Sequence, residues 1–202
     1  MATVPKAPGD STPIDLDFTG VFRIQDLIQQ APPPPPPKPA APPKPLPKEL
    51  MVGVRSLSSK NYFVNLTRPR PARTVDAAKT TILVVEDDQV TRGTLGLVLM
   101  RVGGYQVRSA NDVHTFVAAL QKKPLPDAVI LDIELPGGIS GFKILAKIRS
   151  HVAIKNLPVI IFSGHSEAED LSRALQLGAD AYISKPAKAE SILAAVKAVL
   201  GG

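Results

Sequence analysis

The chain of 202 residues contains no cysteine, which excludes disulfides and thiolate metal sites and permits a reducing compartment. It also lacks a continuous apolar stretch near its amino terminus, and its longest apolar runs elsewhere are far shorter than a membrane span. These absences argue against a disulfide-stabilised secreted domain, a signal peptide and a transmembrane anchor. We therefore expect a soluble protein that works in the cytoplasm.

Proline and positive charge are concentrated in the first part of the chain. Sixteen of the 21 prolines precede residue 81, which leaves too few apolar residues between them for a core of normal density. Residues 1–80 carry 11 Lys and Arg against 6 Asp and Glu, whereas residues 81–202 carry 13 against 12. The excess charge gives no reason to expect nucleic-acid binding by the later part. We predict a disordered proline-rich tail over residues 1–79 and a folded domain over residues 80–202.

Two segments of the tail have recognisable patterns. The proline run at residues 32–37, continued by further prolines and lysines, favours an extended polyproline II spacer over a ligand for an SH3-like domain. Apolar residues crowd into residues 14–28, and Thr19 is suited to cap a short helix near residues 20–30. Docking of this helix on a partner and loose packing on its own folded domain are both open.

From Thr81 onward, short apolar runs alternate with amphipathic stretches. The unbroken runs are typical of parallel strands covered on both faces, and recurrence every three or four residues is typical of helices. Asp88, Asn111 and Ser140 precede helical patterns as candidate N-caps. Five such β/α units predict an α/β fold with a doubly wound, five-stranded parallel sheet and helices on both faces. The predicted strands are residues 82–85, 106–109, 128–131, 159–162 and 181–184.

Polar residues follow four of the five predicted strands. Glu86 and Asp87 follow the first strand and Asp132 follows the third, while Ser163 and Lys185 lie at the ends of the fourth and fifth. Ligands of such folds bind outside the carboxyl ends of the strands, so these side chains are expected to meet in one crevice. Three carboxylates there repel each other unless a cation lies among them, and magnesium suits both carboxylates and phosphoryl oxygens.

The pattern therefore predicts a magnesium site in which Asp132 attacks a phosphoryl donor. Lys185 would neutralise charge on the phosphoryl oxygens, and the Ser163 hydroxyl would donate a hydrogen bond to the product. Each residue also has a simpler interpretation as a helix cap, a turn cap or a solvated loop cation. Their order along the chain, each at a strand end, favours the joint site.

Residues 81–202 resemble the receiver domains of two-component response regulators. The motifs that carry the resemblance are ILVVEDD, AVILDIELPG, VIIFSG and AYISKP. In that family an acidic pair holds magnesium, an aspartate is phosphorylated, a Ser or Thr follows the fourth strand, and a Lys-Pro step follows the fifth. The matching residues here are Glu86 and Asp87, Asp132, Ser163, and Lys185 with Pro186.

The resemblance implies a flavodoxin-like sheet of order 2-1-3-4-5 and two further site residues. It makes Glu134 a magnesium ligand through its backbone carbonyl, and it puts Tyr182 where the family often has an aromatic that rotates on activation. One departure concerns the loop between Pro136 and Gly141, which is one residue longer than usual and contains two glycines. A longer and more mobile loop beside the nucleophile is therefore expected.

The function implied by the resemblance is that of a response regulator. Asp132 would accept a phosphoryl group from a histidine kinase or phosphotransfer protein, and the fourth and fifth β/α units would then change their binding to an unidentified downstream protein. Such a protein is no classical enzyme, since only limited self-catalysed phosphorylation and dephosphorylation are expected. The chain stops after the last helical pattern, so we expect no DNA-binding output domain and no nucleic-acid partner. Pairing of two receivers is left open.

Two other classes of function are weaker. The first is a receiver-like scaffold or interaction protein that works without phosphorylation, against which the complete set of acidic, hydroxyl and lysine residues argues. The second is an enzyme on the same topology. A phosphatase of this kind uses an Asp-x-Asp pair where this chain has Asp132 and Glu134, and a flavoprotein needs a phosphate-binding first loop where this chain has acids.

Overall fold

The computed structural model describes residues 62–64, 74–164 and 168–201 of the chain. The predicted helix near residues 20–30 and the proline spacer lie outside these residues. Within them, the chain forms one sheet with helices packed against both faces. No helix in this part of the chain is both long and apolar enough to cross a membrane.

The sheet contains six strands in the order β3-β2-β4-β5-β6-β1. All neighbours pair in parallel except β6 and β1, which pair antiparallel. Counted from β2, the five parallel strands have the order 2-1-3-4-5, so the predicted doubly wound sheet is confirmed. The strands are β1 (Tyr62–Val64), β2 (Thr81–Val85), β3 (Gln106–Ala110), β4 (Ala128–Leu131), β5 (Val159–Ser163) and β6 (Ala181–Ser184).

The helices connect successive parallel strands and cover the two faces of the sheet. The first helix continues into a π-helical turn at Val98–Val102, and short 3-10 turns lie at Ala77–Lys79 and Pro136–Gly138. The α-helices are α1 (Gln89–Leu97), α2 (Val113–Gln121), α3 (Gly141–Ser150), α4 (Ala168–Gln176) and α5 (Ala189–Leu200).

Alternation along the strands divides the apolar residues between two cores. Leu83 in β2 faces the core that includes residues of α2, α3 and α4, whereas Ile82 and Val84 face the core that includes residues of α1 and α5. Every residue of β2, β4, β5 and β6 is buried. This explains why the sequence shows unbroken apolar runs at the central strands, because a strand covered on both faces has no solvent side.

Strand β1 was not expected, because residues 62–64 fall within the predicted tail. Tyr62 lies opposite Ile183 and Val64 lies opposite Ala181, and the side chains of Tyr62 and Val64 are partly buried against the same core. An edge strand offers a row of unpaired backbone groups, and β1 satisfies those of β6. Within the predicted tail, residues 62–64 thus form a strand and Ala77–Lys79 form a 3-10 turn. The division of the chain at residues 79 and 80 otherwise stays a prediction.

Helix caps agree with two of the three predicted N-caps. Asp88 accepts a hydrogen bond from the Thr91 amide at 2.7 Å, and Ser140 caps α3. The prediction of Asn111 as the cap of α2 is wrong by one residue. Asp112 is the N-cap, because its side chain binds the Thr115 amide while the Thr115 hydroxyl accepts from the Asp112 amide, which forms a reciprocal capping box.

Candidate functional site

Backbone hydrogen bonds hold the predicted site residues at the carboxyl ends of the strands. The Glu86 amide donates to the Ala110 carbonyl at 3.1 Å, and the Asp132 amide donates to the Val85 carbonyl at 2.9 Å. The Lys185 amide donates to the Ser163 carbonyl at 2.7 Å. These bonds extend strand pairing one residue past β2, β4 and β6, so the polar side chains emerge together at one rim of the sheet.

The structure brings the three predicted carboxylates into one cluster. Each of Glu86, Asp87 and Asp132 offers a carboxylate oxygen within 4.8 Å of the others. Glu86 and Asp132 are buried, whereas Asp87 is exposed. Since like charges at this separation repel strongly in a partly buried crevice, the cluster favours a neutralising cation or a protonated carboxyl.

Lys185 supplies part of that neutralisation. Its ammonium nitrogen lies 2.9 Å from Asp132 Oδ2 and 2.8 Å from Glu86 Oε2. Within the described residues, the buried Glu86 Oε2 has no hydrogen-bond partner other than this ion pair with Lys185. Burial alone would lower the pKa of Lys185, but the attraction of Glu86 and Asp132 outweighs it and raises that pKa.

The pKa of the Glu86 carboxyl lies well above its ordinary value. Burial of its carboxyl raises the pKa to about 7, because the opposing attraction of Lys185 does not offset desolvation and the charge of Asp132 adds to it. One lysine therefore does not satisfy three carboxylates. The site retains capacity for a further cation at neutral pH.

Arg92 stabilises the loop that carries the acidic pair, a role that was not predicted from the sequence. Its guanidinium donates to the backbone carbonyl of Glu86 at 2.7 Å and to that of Asp87 at 2.9 Å. The arginine lies on the first turn of α1 and reaches back over the cap residue Asp88. Its spacing after the acidic pair is the signal that could have identified it, since carbonyls at a strand-to-helix turn need donors.

The loop after Asp132 is closed, despite its extra residue. The Glu134 amide lies 3.4 Å from Asp132 Oδ1, and Glu134 pairs with Ser140 across the loop. The backbone turns at Gly137 and Gly138 with φ of 80° and 70°, in the left-handed region that glycine favours. The Glu134 side chain is exposed, so what it contributes to the rim is its backbone.

Gly141 fixes the other end of this loop, which spacing alone did not reveal. Its amide donates to the Ile133 carbonyl at 2.7 Å. A Cβ atom at this position would lie 2.0 Å from the carbonyl oxygen of Asp132 and 2.9 Å from its carbonyl carbon. Glycine is therefore required because the start of α3 passes against the backbone of the nucleophile.

Ser163 and Tyr182 lie beside the carboxylate cluster, on neighbouring strands. Both are fully buried, and their hydroxyls are in hydrogen-bonding contact. Burial raises the pKa of Tyr182 to about 12, against a lowering by that contact with Ser163. Tyr182 thus packs inside the core rather than at a solvent-exposed edge. Its hydroxyl contacts the Ser163 hydroxyl, which is the group predicted to bind a phosphoryl oxygen.

The residues present fit a hard divalent cation. Carboxylate oxygens from Glu86, Asp87 and Asp132 converge, and the single ammonium of Lys185 leaves the cluster with a net negative charge when all three are ionised. Magnesium takes one or a few carboxylates and retains waters, which suits a cluster with one exposed member. With cysteine absent from the chain and only oxygen donors in the cluster, a soft metal is disfavoured.

Comparison with known proteins gives the family. The model of the response regulator receiver domain matches residues 82–197, and the chain belongs to this family. Receiver domains are phosphoacceptor signalling domains of two-component systems. The family assignment covers the parallel sheet and the whole carboxylate cluster.

Individual relatives agree with this assignment. The chain is 37% identical over 119 residues to the phosphate regulon transcriptional regulatory protein PhoB of Escherichia coli (strain K12), covering 59% of this chain and 51% of that protein. It is 40% identical over 119 residues to the transcriptional regulatory protein GltR of Pseudomonas aeruginosa, covering 59% and 48%. The chain therefore matches about half the length of these relatives, and the predicted lack of a DNA-binding output domain and of a nucleic-acid partner stays a prediction.

Solved structures show the same fold. A putative response regulator from Chloroflexus aurantiacus superposes with a TM-score of 0.56 at 32% identity, covering 61% of this chain and 98% of that one. The chemotaxis protein CheY4 of Vibrio cholerae gives a TM-score of 0.54 at 25% identity, covering 59% and 98%. The flavodoxin-like fold predicted for residues 80–202 is thereby confirmed.

Proposed function

We propose that Asp132 accepts a phosphoryl group from a histidine kinase or phosphotransfer protein. The observation that carries this proposal is the convergence of three carboxylates with one ammonium group at the rim of a receiver fold. A structural salt bridge needs one anion for each cation. Here an excess of negative charge is kept beside a nucleophile, which suits a site that receives a cation and a phosphoryl group.

The residues that would hold magnesium are Glu86, Asp87 and Asp132, with the backbone carbonyl of Glu134. When bound, magnesium neutralises charge on the phosphoryl oxygens. An oxygen of Asp132 attacks phosphorus, an O–P bond forms, and the N–P bond of the phosphohistidine breaks with its electron pair returning to the imidazole nitrogen. Lys185 pairs with the new charge, because its ammonium already contacts Asp132.

Phosphorylation would change the surface through Ser163 and Lys185. The Ser163 hydroxyl contacts both Tyr182 and the space where a phosphoryl oxygen would lie, so a new hydrogen bond to that oxygen would alter its contact with Tyr182 and link the site to the middle of β6. The units β5–α4 and β6–α5 would then favour one of two arrangements, and an unidentified downstream protein would bind one of them more tightly. Whether two receivers pair stays open, and sedimentation with and without a phosphoryl mimic would test it.

The proposal is tested by phosphorylation with a small-molecule phosphoryl donor and magnesium. We expect the wild-type chain to gain one phosphoryl group by mass spectrometry and Asp132→Asn to gain none. Asp88→Asn is the matched control, because Asp88 is the neighbouring exposed carboxylate and serves as the cap of α1. Labelling of Asp132→Asn at the wild-type level would overturn the assignment of the nucleophile and favour the phosphorylation-independent scaffold.

A further inference from the structure

Strand β1 docks on the strand that leads into the site. Tyr62 lies opposite Ile183, which precedes Lys185 by two residues. On its other side β6 pairs with β5. Without β1, the outer N–H and C=O groups of β6 would be left unpaired, as in any edge strand. Residues 62–64 therefore complete the pairing of the strand that positions the site lysine.

Side-chain packing adds to the backbone pairing. Tyr62 and Val64 are partly buried against the core that contains Ala181, Ile183 and residues of α5. Strand β1 also contacts helix α5 directly. The docking surface thus has two parts, the outer edge of β6 and the adjacent side of α5, and it accepts an extended segment with apolar residues at alternate positions.

Strand β6 and the residue just after it carry the groups expected to respond to phosphorylation. Tyr182 lies opposite the middle residue of β1 and is fully buried in contact with the Ser163 hydroxyl. Just past the end of β6, Lys185 reaches Asp132 at 2.9 Å. Any shift of the β6 backbone would therefore move both groups relative to Asp132.

We propose that the edge of β6 with α5 is a docking surface for residues 62–64 of this chain, and that docking strengthens phosphoryl binding at Asp132. Pairing on both sides fixes β6 in the arrangement in which Lys185 already contacts Asp132, so less reorganisation is required when the phosphoryl group arrives. Because the coupling between two binding equilibria is reciprocal, a phosphoryl group on Asp132 must favour docking of β1 on β6 by the same factor. This inference rests on the proposed function.

The test uses the full chain and a double variant, Tyr62→Asp with Val64→Asp, which puts two carboxylates into the partly buried interface. We expect hydrogen exchange of the peptide covering residues 181–184 to become about tenfold faster, because the outer amides of β6 lose their partners. We also expect the dissociation constant for beryllofluoride with magnesium, a phosphoryl mimic, to rise about fivefold. Val152→Asp is the matched control, since Val152 is 83% exposed and far from β6 in sequence.

Equal exchange of residues 181–184 in the double variant and the wild type would overturn docking. Equal or tighter beryllofluoride binding by the variant would overturn the linkage. If the wild type binds no beryllofluoride while exchange still differs, the proposed function fails and docking stands. Thermal denaturation checks that the variant is folded, and Val64→Pro, which removes one backbone donor without adding charge, replaces it in both measurements if the double variant unfolds.

Discussion

In the described part of the chain, ion pairs with buried carboxylates lie at opposite ends of the sheet, and they differ in how evenly positive and negative charges are matched. At the amino ends of the strands, Arg149 on α3 contacts Asp180 at 2.7 Å. Its guanidinium also donates to the carbonyls of Gly178, Lys155 and Leu157, and Asp180 Oδ2 accepts from the Val159 amide at 2.9 Å. One cation meets one anion there, and backbone partners take up the remaining donors.

At the carboxyl ends of the strands, one lysine pairs with two of the three clustered carboxylates. Burial raises the pKa of the Glu86 carboxyl to about 7 despite its ion pair with Lys185. The contrast shows that buried charged groups in this fold can either connect secondary-structure elements or form a site for a ligand. The pair of Arg149 and Asp180 joins α3 to the start of β5 and β6, whereas the cluster around Lys185 keeps unbalanced charge for a ligand.

The largest change in stability is expected at the amino ends of the strands, where Arg149 and Asp180 form a balanced ion pair. Asp180→Asn should lower the free energy of unfolding by about 3 kcal/mol, because it leaves the buried Arg149 guanidinium without its counter-charge. Urea denaturation monitored by circular dichroism measures this loss. Asp127→Asn is a suitable control, because Asp127 also binds a backbone amide at a strand start, that of Thr81. A loss no larger than that of the control would remove the structural distinction.

A second effect concerns pH and magnesium. Without metal, the contribution of Glu86 to stability is fully present below its unfolded-state pKa of 4.5 and is lost as pH rises through about 7. Magnesium requires the ionised carboxylate, so its affinity should rise about tenfold between pH 6 and pH 8 as the proton is released. Calorimetric titration measures this change. Glu86→Gln should remove the pH dependence, and a flat profile in the wild type would contradict the raised pKa.

The smallest change in stability is expected at the carboxyl ends of the strands, where negative charge is in excess. At pH 8 and without metal, Asp132→Asn should raise the free energy of unfolding by about 1 kcal/mol, because it relieves repulsion among three carboxylates while Lys185 keeps Glu86 as a partner. The same urea experiment measures it. A loss as large as that of Asp180→Asn would show that the two ends of the sheet are alike.

The residues that could be predicted from sequence are those fixed by local pattern. Central parallel strands are apolar on both faces, so Asp132 and Lys185 stand out directly after such runs, and the crevice at the strand ends follows from topology. The confirmed sheet order and the caps Asp88 and Ser140 belong to the same category. Their signals lie within a few residues of the feature predicted.

The features that were missed depend on contacts that the pattern of residue types along the chain does not show. Strand β1 is three residues long and lies within the predicted tail, and its pairing with β6 makes it a strand. The spacing of Gly141 does not distinguish it, and the spacing of Arg92 after the acidic pair is only a weak signal. Both residues matter because of the carbonyls of Glu86 and Asp132 that they approach. The cap of α2 was displaced to Asp112 by a reciprocal bond with Thr115. Tertiary geometry decides β1, and the detailed local backbone geometry decides the others.

The most direct measurement is to locate the cation site with manganese, which shares the oxygen-ligand preference of magnesium and broadens nearby nuclear resonances. In ¹H–¹⁵N spectra of the full chain, amides of residues 86–87 and 132–134 should broaden first on addition of Mn²⁺, and excess Mg²⁺ should reverse the effect. Broadening centred on other residues, or none at these positions, would contradict a metal-assisted phosphoryl-acceptor site at this rim of the sheet.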